Sequence, residues 1–143
     1  MAYLHKKTFD ILQRGGLDND RHDYFEVDDM MALPVRVLNQ KGYTTTFCCA
    51  GHPFEDITGI DETTNEPEKH TDFSSYISFA EGVVLPSIPL GFFIIREYPA
   101  IEKCLTIRTF YDRELDAYSF MQKVLVKMAF LYEWTLGLTD RME

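Results

Sequence analysis

The spacing of apolar residues predicts a first helix over about residues 28–41. Met31, Val35 and Leu38 recur at intervals of four and three positions, which places them on one face of a helix. Pro34 conflicts with this pattern, because a proline inside a helix removes a backbone donor and clashes with the preceding turn. The helix therefore either kinks at Pro34 or begins close to it.

A second, longer helix is predicted over about residues 112–136. Asp28 and Asp112 are suitable N-cap residues for the two helices. Gly42 and Gly137 are suitable C-terminal stops. The width of the apolar stripe on the second helix suits a sheet face and also a partner subunit, so homo-oligomerisation through this helix is one expectation. The stripe consists of Leu115, Tyr118, Met121, Leu125, Met128, Leu131 and Tyr132, and it is widened by Phe120, Val124, Ala129 and Trp134.

Four short segments rich in β-branched and aromatic residues predict strands. They cover about residues 43–49, 75–80, 91–96 and 104–111, and the apolar run of the third indicates burial on both faces. Strands flanked by helices are typical of an α+β fold, here a mainly antiparallel sheet of four or more strands with helices packed on one face. Residues 3–14 fit either a helix or a strand. The aromatic residues expected in the core are Phe92, Phe93, Phe110, Tyr111 and Trp134.

Length and charge favour one acidic globular domain. A chain of 143 residues can bury one hydrophobic core, so residues 1–143 are interpreted as a single domain. With 14 Lys+Arg against 23 Asp+Glu, the net charge is −9 at pH 7, which disfavours general nucleic-acid binding. Most of this charge lies in a long polar loop, residues 54–73. The loop contains Glu55, Asp56, Asp61, Glu62, Glu66, Glu68 and Asp72 against the single Lys69.

The chain also lacks the sequence signals of membrane and secreted proteins. No stretch approaches the ~18 consecutive apolar residues of a transmembrane helix, and residues 1–7 lack the apolar core of a secretory signal. The cysteines are three in number, Cys48, Cys49 and Cys104. An odd number of cysteines without a signal favours a reduced, cytoplasmic protein with no membrane association.

The densest reactive chemistry lies between Cys48 and Pro53. Because side chains alternate along a strand, Cys48 and Cys49 are expected on opposite faces of the sheet, with one of them buried. Gly51 permits a sharp turn, which would bring the Cys49 thiol and the His52 imidazole together. Four interpretations stay open at this point: packing alone, a ligand pocket whose backbone N–H groups bind an anion, a metal site, and an activated catalytic thiol.

Cys49 and His52 are the candidate catalytic residues, as nucleophile and as acid or base, and also the candidate metal ligands. Whether the protein is an enzyme is left open by the sequence. A structural zinc needs four ligands, so His5, His22, His70 or a carboxylate would have to contribute, and zinc is only weakly indicated. The candidate ligand-binding residues around this pair are Gly51, Cys48, Lys41, Arg96 and Arg108.

The stretch from Asp28 to His52 carries a resemblance. A helix ending in Val-Leu-Asn-Gln-Lys-Gly-Tyr is followed by the strand Thr-Thr-Thr-Phe-Cys-Cys-Ala-Gly-His. This pattern resembles a family of uncharacterised small bacterial and phage proteins and is remotely similar to the wybutosine-synthesis tRNA methyltransferase family. Cys49 and Gly51 match the Cys-Ser-Gly-Arg turn of that family, whereas Ala50 and His52 replace its Ser and Arg. The resemblance implies an α+β fold and a site at this turn, but losing the arginine removes a bidentate phosphate contact and weakens the case for methyltransferase activity.

Two functions from different classes follow. The first is a ligand-binding or catalytic protein with its site at Cys49–His52, near Lys41 and with residues 55–72 as a lid. The second is a non-catalytic interaction or regulatory protein of phage type. It would act through the acidic loop or the apolar face of the C-terminal helix, for example by covering a basic host surface. The expected partner is accordingly a small ligand or a protein.

Overall fold

The computed structural model describes residues 2–12, 23–51, 74–95, 104–112 and 116–141. These residues form two helices and two antiparallel sheets, of three and four strands. The architecture confirms the predicted α+β fold with a four-stranded sheet. Within these ranges, no helix has the length and apolar character that a membrane crossing requires.

The elements follow one another in a simple order. The strands are β1 (Ala2–His5), β2 (Ile11–Leu12), β3 (Tyr24–Val27), β4 (Thr45–Cys49), β5 (Ser74–Phe79), β6 (Phe93–Ile95) and β7 (Thr106–Phe110). The small sheet has the order β2-β1-β3 and the large sheet the order β4-β5-β7-β6, with antiparallel neighbours throughout. The helices are α1 (Ala32–Gln40) and α2 (Ala117–Gly137).

The start of α1 resolves the conflict over Pro34. A 3-10 turn, Asp29–Met31, precedes the helix, and Pro34 lies in the first helical turn. Backbone N–H groups of the first turn have no acceptor within the helix, so the N–H that proline lacks costs no hydrogen bond. The predicted capping role of Asp28 is wrong, because its side chain makes no cap hydrogen bond. Its carboxylate instead accepts a hydrogen bond of 2.8 Å from the N–H of Ala50. Gly42 follows α1 with φ +92°, as expected of a stop residue.

The helix α2 begins later than predicted. Asp116, not Asp112, is its N-cap, because the Asp116 carboxylate accepts a hydrogen bond of 2.7 Å from the N–H of Ser119. This hydrogen bond lowers the pKa of the exposed Asp116 carboxyl. Leu115 of the predicted stripe lies outside the described residues.

The buried face of α2 is only one side of the broad apolar face that the sequence predicted. Tyr118 and Leu125, which were expected to face the core, point into solvent. The helix is apolar on nearly every side, so periodicity alone did not identify the side that packs. The residues that do face the core are Phe120, Val124, Met128, Leu131 and Thr135.

The large sheet packs one face on the core, and the residues of its other face range in exposure from Cys49 at 6 % to Phe93 at 60 %. Ile77 of β5 lies opposite Ile107 of β7, and both are fully buried. Phe92 and Tyr111 are buried as predicted. Trp134 is partly buried, and its Nε1 donates to Ser87 Oγ at 2.8 Å.

Two aromatic residues of the large sheet were placed wrongly by the sequence. Phe93 is 60 % and Phe110 is 59 % exposed, because their side chains project from the face of the sheet opposite the core. The predicted burial of β6 on both faces is wrong for a further reason. Among the described strands, β6 lies at the edge of its sheet. Ile94 is therefore also exposed, although it lies opposite the buried Ile107.

Candidate functional site

The two adjacent cysteines lie at the end of β4 and face opposite sides of the sheet. Cys48 lies opposite Ile77 and packs against the core, whereas Cys49 lies opposite Tyr76 on the other face. The alternation predicted from the sequence is therefore confirmed. Cys49 is nevertheless only 6 % exposed, so the thiol proposed as a nucleophile is the more buried of the two.

The turn after Cys49 is held by hydrogen bonds within the protein. The Ala50 N–H donates to the Asp28 carboxylate, and the Gly51 N–H lies 3.4 Å from the Cys49 Sγ, which accepts its hydrogen bond. The Ala50 carbonyl accepts from Ser75 Oγ at 2.5 Å. An anion in this turn would have to displace the Asp28 carboxylate, so the arrangement disfavours the anion-binding interpretation at these two N–H groups.

Gly51 is required by the path of the backbone. Its φ of +102° lies in a region that side chains with a Cβ rarely adopt, and a Cβ here would approach the Ser74 carbonyl oxygen to 3.2 Å. The glycine therefore serves close packing of the turn against β5. This packing explains why a glycine is needed at position 51, which the sequence analysis also proposed as a ligand-binding residue.

The electrostatic environment makes Cys48 a poor nucleophile and a poor metal ligand. Burial raises the pKa of its thiol from 9.0 to about 11, and the negative charge of Asp28 acts in the same direction. A hydrogen bond from the Asp28 N–H opposes this shift only in part. The thiol is therefore protonated at neutral pH, whereas both metal binding and nucleophilic attack need the thiolate.

A buried hydroxyl pair lies behind the turn. Ser75 Oγ is 2.7 Å from Tyr111 Oη, and burial raises the pKa of Tyr111 to about 12. The Tyr111 ring packs against Phe120 of α2, with ring centroids 5.1 Å apart. These contacts join the turn to the sheet and to α2, as in an ordinary core polar network.

Several predicted site residues cannot be placed beside Cys49. His52, Arg96, His22, His70 and the acidic loop, residues 54–73, lie outside the described residues. Among the residues that the structure describes, no group of three or more His, Cys, Asp or Glu could hold a metal ion.

The remaining histidine and lysine candidates serve local structure. His5 Nδ1 accepts hydrogen bonds from the N–H groups of Lys7 and Thr8. The Lys41 ammonium donates to the carbonyls of Thr135, Leu136 and Leu138 at distances of 2.5–3.0 Å. Lys41 thus neutralises the carboxyl end of α2, where a cation is favoured by the helix dipole, and does not face the turn.

Arg108 lies on the face of the sheet opposite the core, in one row with Cys49. Cys49, Tyr76, Arg108 and Phe93 occupy neighbouring register positions across the four strands. The Arg108 guanidinium lies over the Tyr76 ring, 4.7 Å from its centroid. The structure therefore brings Arg108, but not Lys41, to the same face as Cys49.

The helix α2 carries an exposed apolar surface, as the width of its predicted stripe suggested, but three of its residues, Val126, Phe130 and Leu136, were not in that stripe. Its solvent-facing side has five large apolar residues, between 39 % and 74 % exposed. We call this surface the outer face of α2; it consists of Tyr118, Leu125, Val126, Phe130 and Leu136. The unusual width of the apolar stripe was the available signal, since one helix cannot bury apolar residues on all sides against a single sheet.

Comparison of the chain with protein-family models, with curated proteins and with solved structures found no match. The resemblance to bacterial and phage proteins, and to the wybutosine-synthesis family, therefore stays a prediction.

Proposed function

We propose that this protein is a non-catalytic interaction protein that binds a protein partner through the outer face of α2. The observation that carries the proposal is the exposure of five large apolar side chains on one side of one helix. Single exposed apolar residues are ordinary, but several large ones grouped on one side of a helix are typical of an interaction site. Covering it would contribute roughly 25 cal/mol for each Å² of apolar area removed from water.

The chemistry of α2 indicates what kind of partner it binds. Its charged residues are Lys123, Lys127 and Glu133, so the helix carries a net charge of +1 in a chain whose net charge is −9. Apolar contact, and not acidic charge, is then the basis of recognition at this surface. The partner should present a complementary apolar stripe.

The turn supports the non-catalytic part of the proposal. Its two N–H groups at Ala50 and Gly51 already have acceptors, and the Cys48 thiol is held in its neutral form. The three free cysteines agree with the predicted reduced, cytoplasmic setting, which we retain as part of the proposal.

A matched pair of valine substitutions tests the proposed surface. Val126 on the outer face is 51 % exposed, and Val84, in the connector after β5, is 74 % exposed. Val126→Glu should weaken binding of a purified partner by at least about tenfold, since a buried unpaired carboxylate is costly. Val84→Glu should bind like the wild type. Titration calorimetry measures both, and equal affinity of all three proteins would contradict the proposal.

A second candidate function is ligand binding at Cys49. It is favoured by the row of Cys49, Tyr76 and Arg108 on the face of the sheet opposite the core, which combines a thiol, an aromatic ring and a cation. Thiol titration of the wild type and Cys49→Ser, with and without added zinc, tests this function. Faster reaction of Cys49 than of Cys104, or protection of Cys49 by zinc, would support it. Ordinary reactivity and no bound metal would remove it.

A further inference from the structure

We infer that the large sheet binds a mononucleotide on the face opposite the core. The base lies against the rings of Phe93 and Phe110, and the phosphate lies beside the guanidinium of Arg108. This site is on other elements than the outer face of α2, and it lies at the end of the register row away from Cys49. The inference therefore goes beyond the proposed interface and depends neither on that interface nor on thiol chemistry.

The two rings are exposed and adjacent. Phe93 is 60 % and Phe110 is 59 % exposed. Phe93 lies opposite Arg108 in register, and Phe110 follows Arg108 by two residues on β7, so both rings project from the same face of the sheet. Diagonal neighbours of this kind are roughly 7–8 Å apart. Neither ring stacks on another ring of the described residues, so both have surface available to a planar ligand.

A positive charge lies beside the two rings. The Arg108 guanidinium lies over the Tyr76 ring, 4.7 Å from its centroid. The N–H donors of a guanidinium lie in its plane, so stacking on a ring orients the group without using those donors, and the planar set of donors matches the oxygens of a phosphate. Phe93 is the register partner of Arg108, so a base on that ring brings its attached phosphate close to this cation.

The charge of this face suits one phosphate. Among the residues that the structure describes, Arg108 is the only charged residue at the strand positions of this face. These positions therefore present one positive charge and no carboxylate, although the chain as a whole has a net charge of −9. A nucleic-acid strand with many phosphates is repelled by that net charge, whereas a mononucleotide brings one phosphate to one cation.

The residues beside the rings are small and polar. Ser74 lies opposite Phe110, and Ser78 lies opposite Thr106. The hydroxyls of Ser78 and Thr106 form a hydrogen bond with each other at 2.8 Å. The Phe110 ring therefore stands above its small neighbour, and a flat ligand reaches the ring. Exposed rings beside an arginine are the chemistry by which proteins stack nucleobases and hold their phosphates, whereas an aliphatic surface fits any apolar partner.

A titration of the full chain with AMP, followed by ligand-detected NMR, tests the site. AMP should bind saturably, and adenosine and ribose 5-phosphate should each bind at least about tenfold more weakly, because each lacks one of the two contacts. Arg108→Gln should weaken the binding of AMP but not of adenosine, which separates loss of the charge from loss of the fold. A wild type that shows no saturable binding of AMP would overturn the inference.

A matched pair of phenylalanine substitutions locates the site. Phe93 and Phe47 project from the same face, but β6 and β4 stand at opposite ends of the order of described strands. Phe93→Ala should weaken AMP binding by at least about fivefold. Phe47→Ala removes a ring that is 72 % exposed and should bind AMP like the wild type. Equal weakening by the two variants would overturn the site.

Two further results distinguish this site from its alternatives. A single-stranded oligonucleotide that binds more tightly than AMP, and loses affinity in Phe47→Ala, would overturn the mononucleotide as the occupant. Val126→Glu and Cys49→Ser should bind AMP like the wild type, and loss of AMP binding in a folded Val126→Glu would overturn the sheet site. If AMP fails to bind the wild type, the interface on α2 still stands or falls by its own comparison of Val126→Glu with Val84→Glu.

Discussion

The turn at Cys48–Gly51 and the outer face of α2 differ in how their chemistry is used. The turn contains the more reactive residue types, yet its N–H groups have acceptors within the protein and burial keeps the Cys48 thiol neutral. The outer face of α2 contains only ordinary apolar residues, yet they are exposed. The comparison teaches that a site depends on which groups remain available after folding, more than on which residue types are present.

The largest expected effect compares the two sides of α2. Leu131 is fully buried and Leu125 is exposed, and both are leucines of the same helix. Leu131→Ala should lower the free energy of unfolding by about 3 kcal/mol, because it leaves a cavity in the core. Leu125→Ala should change it by less than about 0.5 kcal/mol for the monomer. Urea denaturation measures both, and similar losses would mean that the outer face is packed.

The next effect concerns the role of Gly51 in the turn. Gly51→Ala should cost about 2 kcal/mol of unfolding free energy, since it combines an unfavourable positive φ with a close approach to Ser74. Gly82 has a similar φ of +85° and nothing within 4 Å of an added Cβ, so Gly82→Ala should cost only about 1 kcal/mol. Equal losses in the same denaturation experiment would show that close packing is not what requires glycine at the turn.

The third effect is the pH dependence caused by Cys48. Its pKa is raised to about 11 in the folded protein, so its contribution to stability is complete below pH 9 and is lost between about pH 9 and 11. Over that range the wild type should lose about 2 kcal/mol more than Cys48→Ala, because each pKa unit corresponds to about 1.4 kcal/mol. Tyr111, with its pKa raised to about 12, adds a loss that starts higher and is shared by both proteins. Parallel stability curves would mean that the Cys48 thiol is not buried as described.

Much of the fold could be predicted because the signals are local. The strands β4, β5 and β7 and both helices lie within the predicted ranges or within one residue of them, since β-branched runs and helical spacing act over a few residues. The opposite orientation of Cys48 and Cys49 follows from strand geometry alone. The candidate site was less predictable, because Lys41 and Asp28 found partners far along the chain.

The sequence by itself determined both helices, the strands β4 to β7, their order and the α+β class, because these depend on backbone preferences and short-range periodicity. It did not determine the three-stranded sheet, since residues 3–14 fitted either a helix or a strand and no strand was predicted over residues 24–27. Only the tertiary structure decided which side of α2 packs against the core. The helix is apolar on nearly every side, so its buried side depends on the elements that pack against it. Tertiary contacts also decided that the Asp28 carboxylate binds the turn at Ala50 and that Phe93 and Phe110 remain in solvent. The physical reason is that burial and hydrogen-bond pairing are set by neighbours distant in sequence, which a local pattern does not contain.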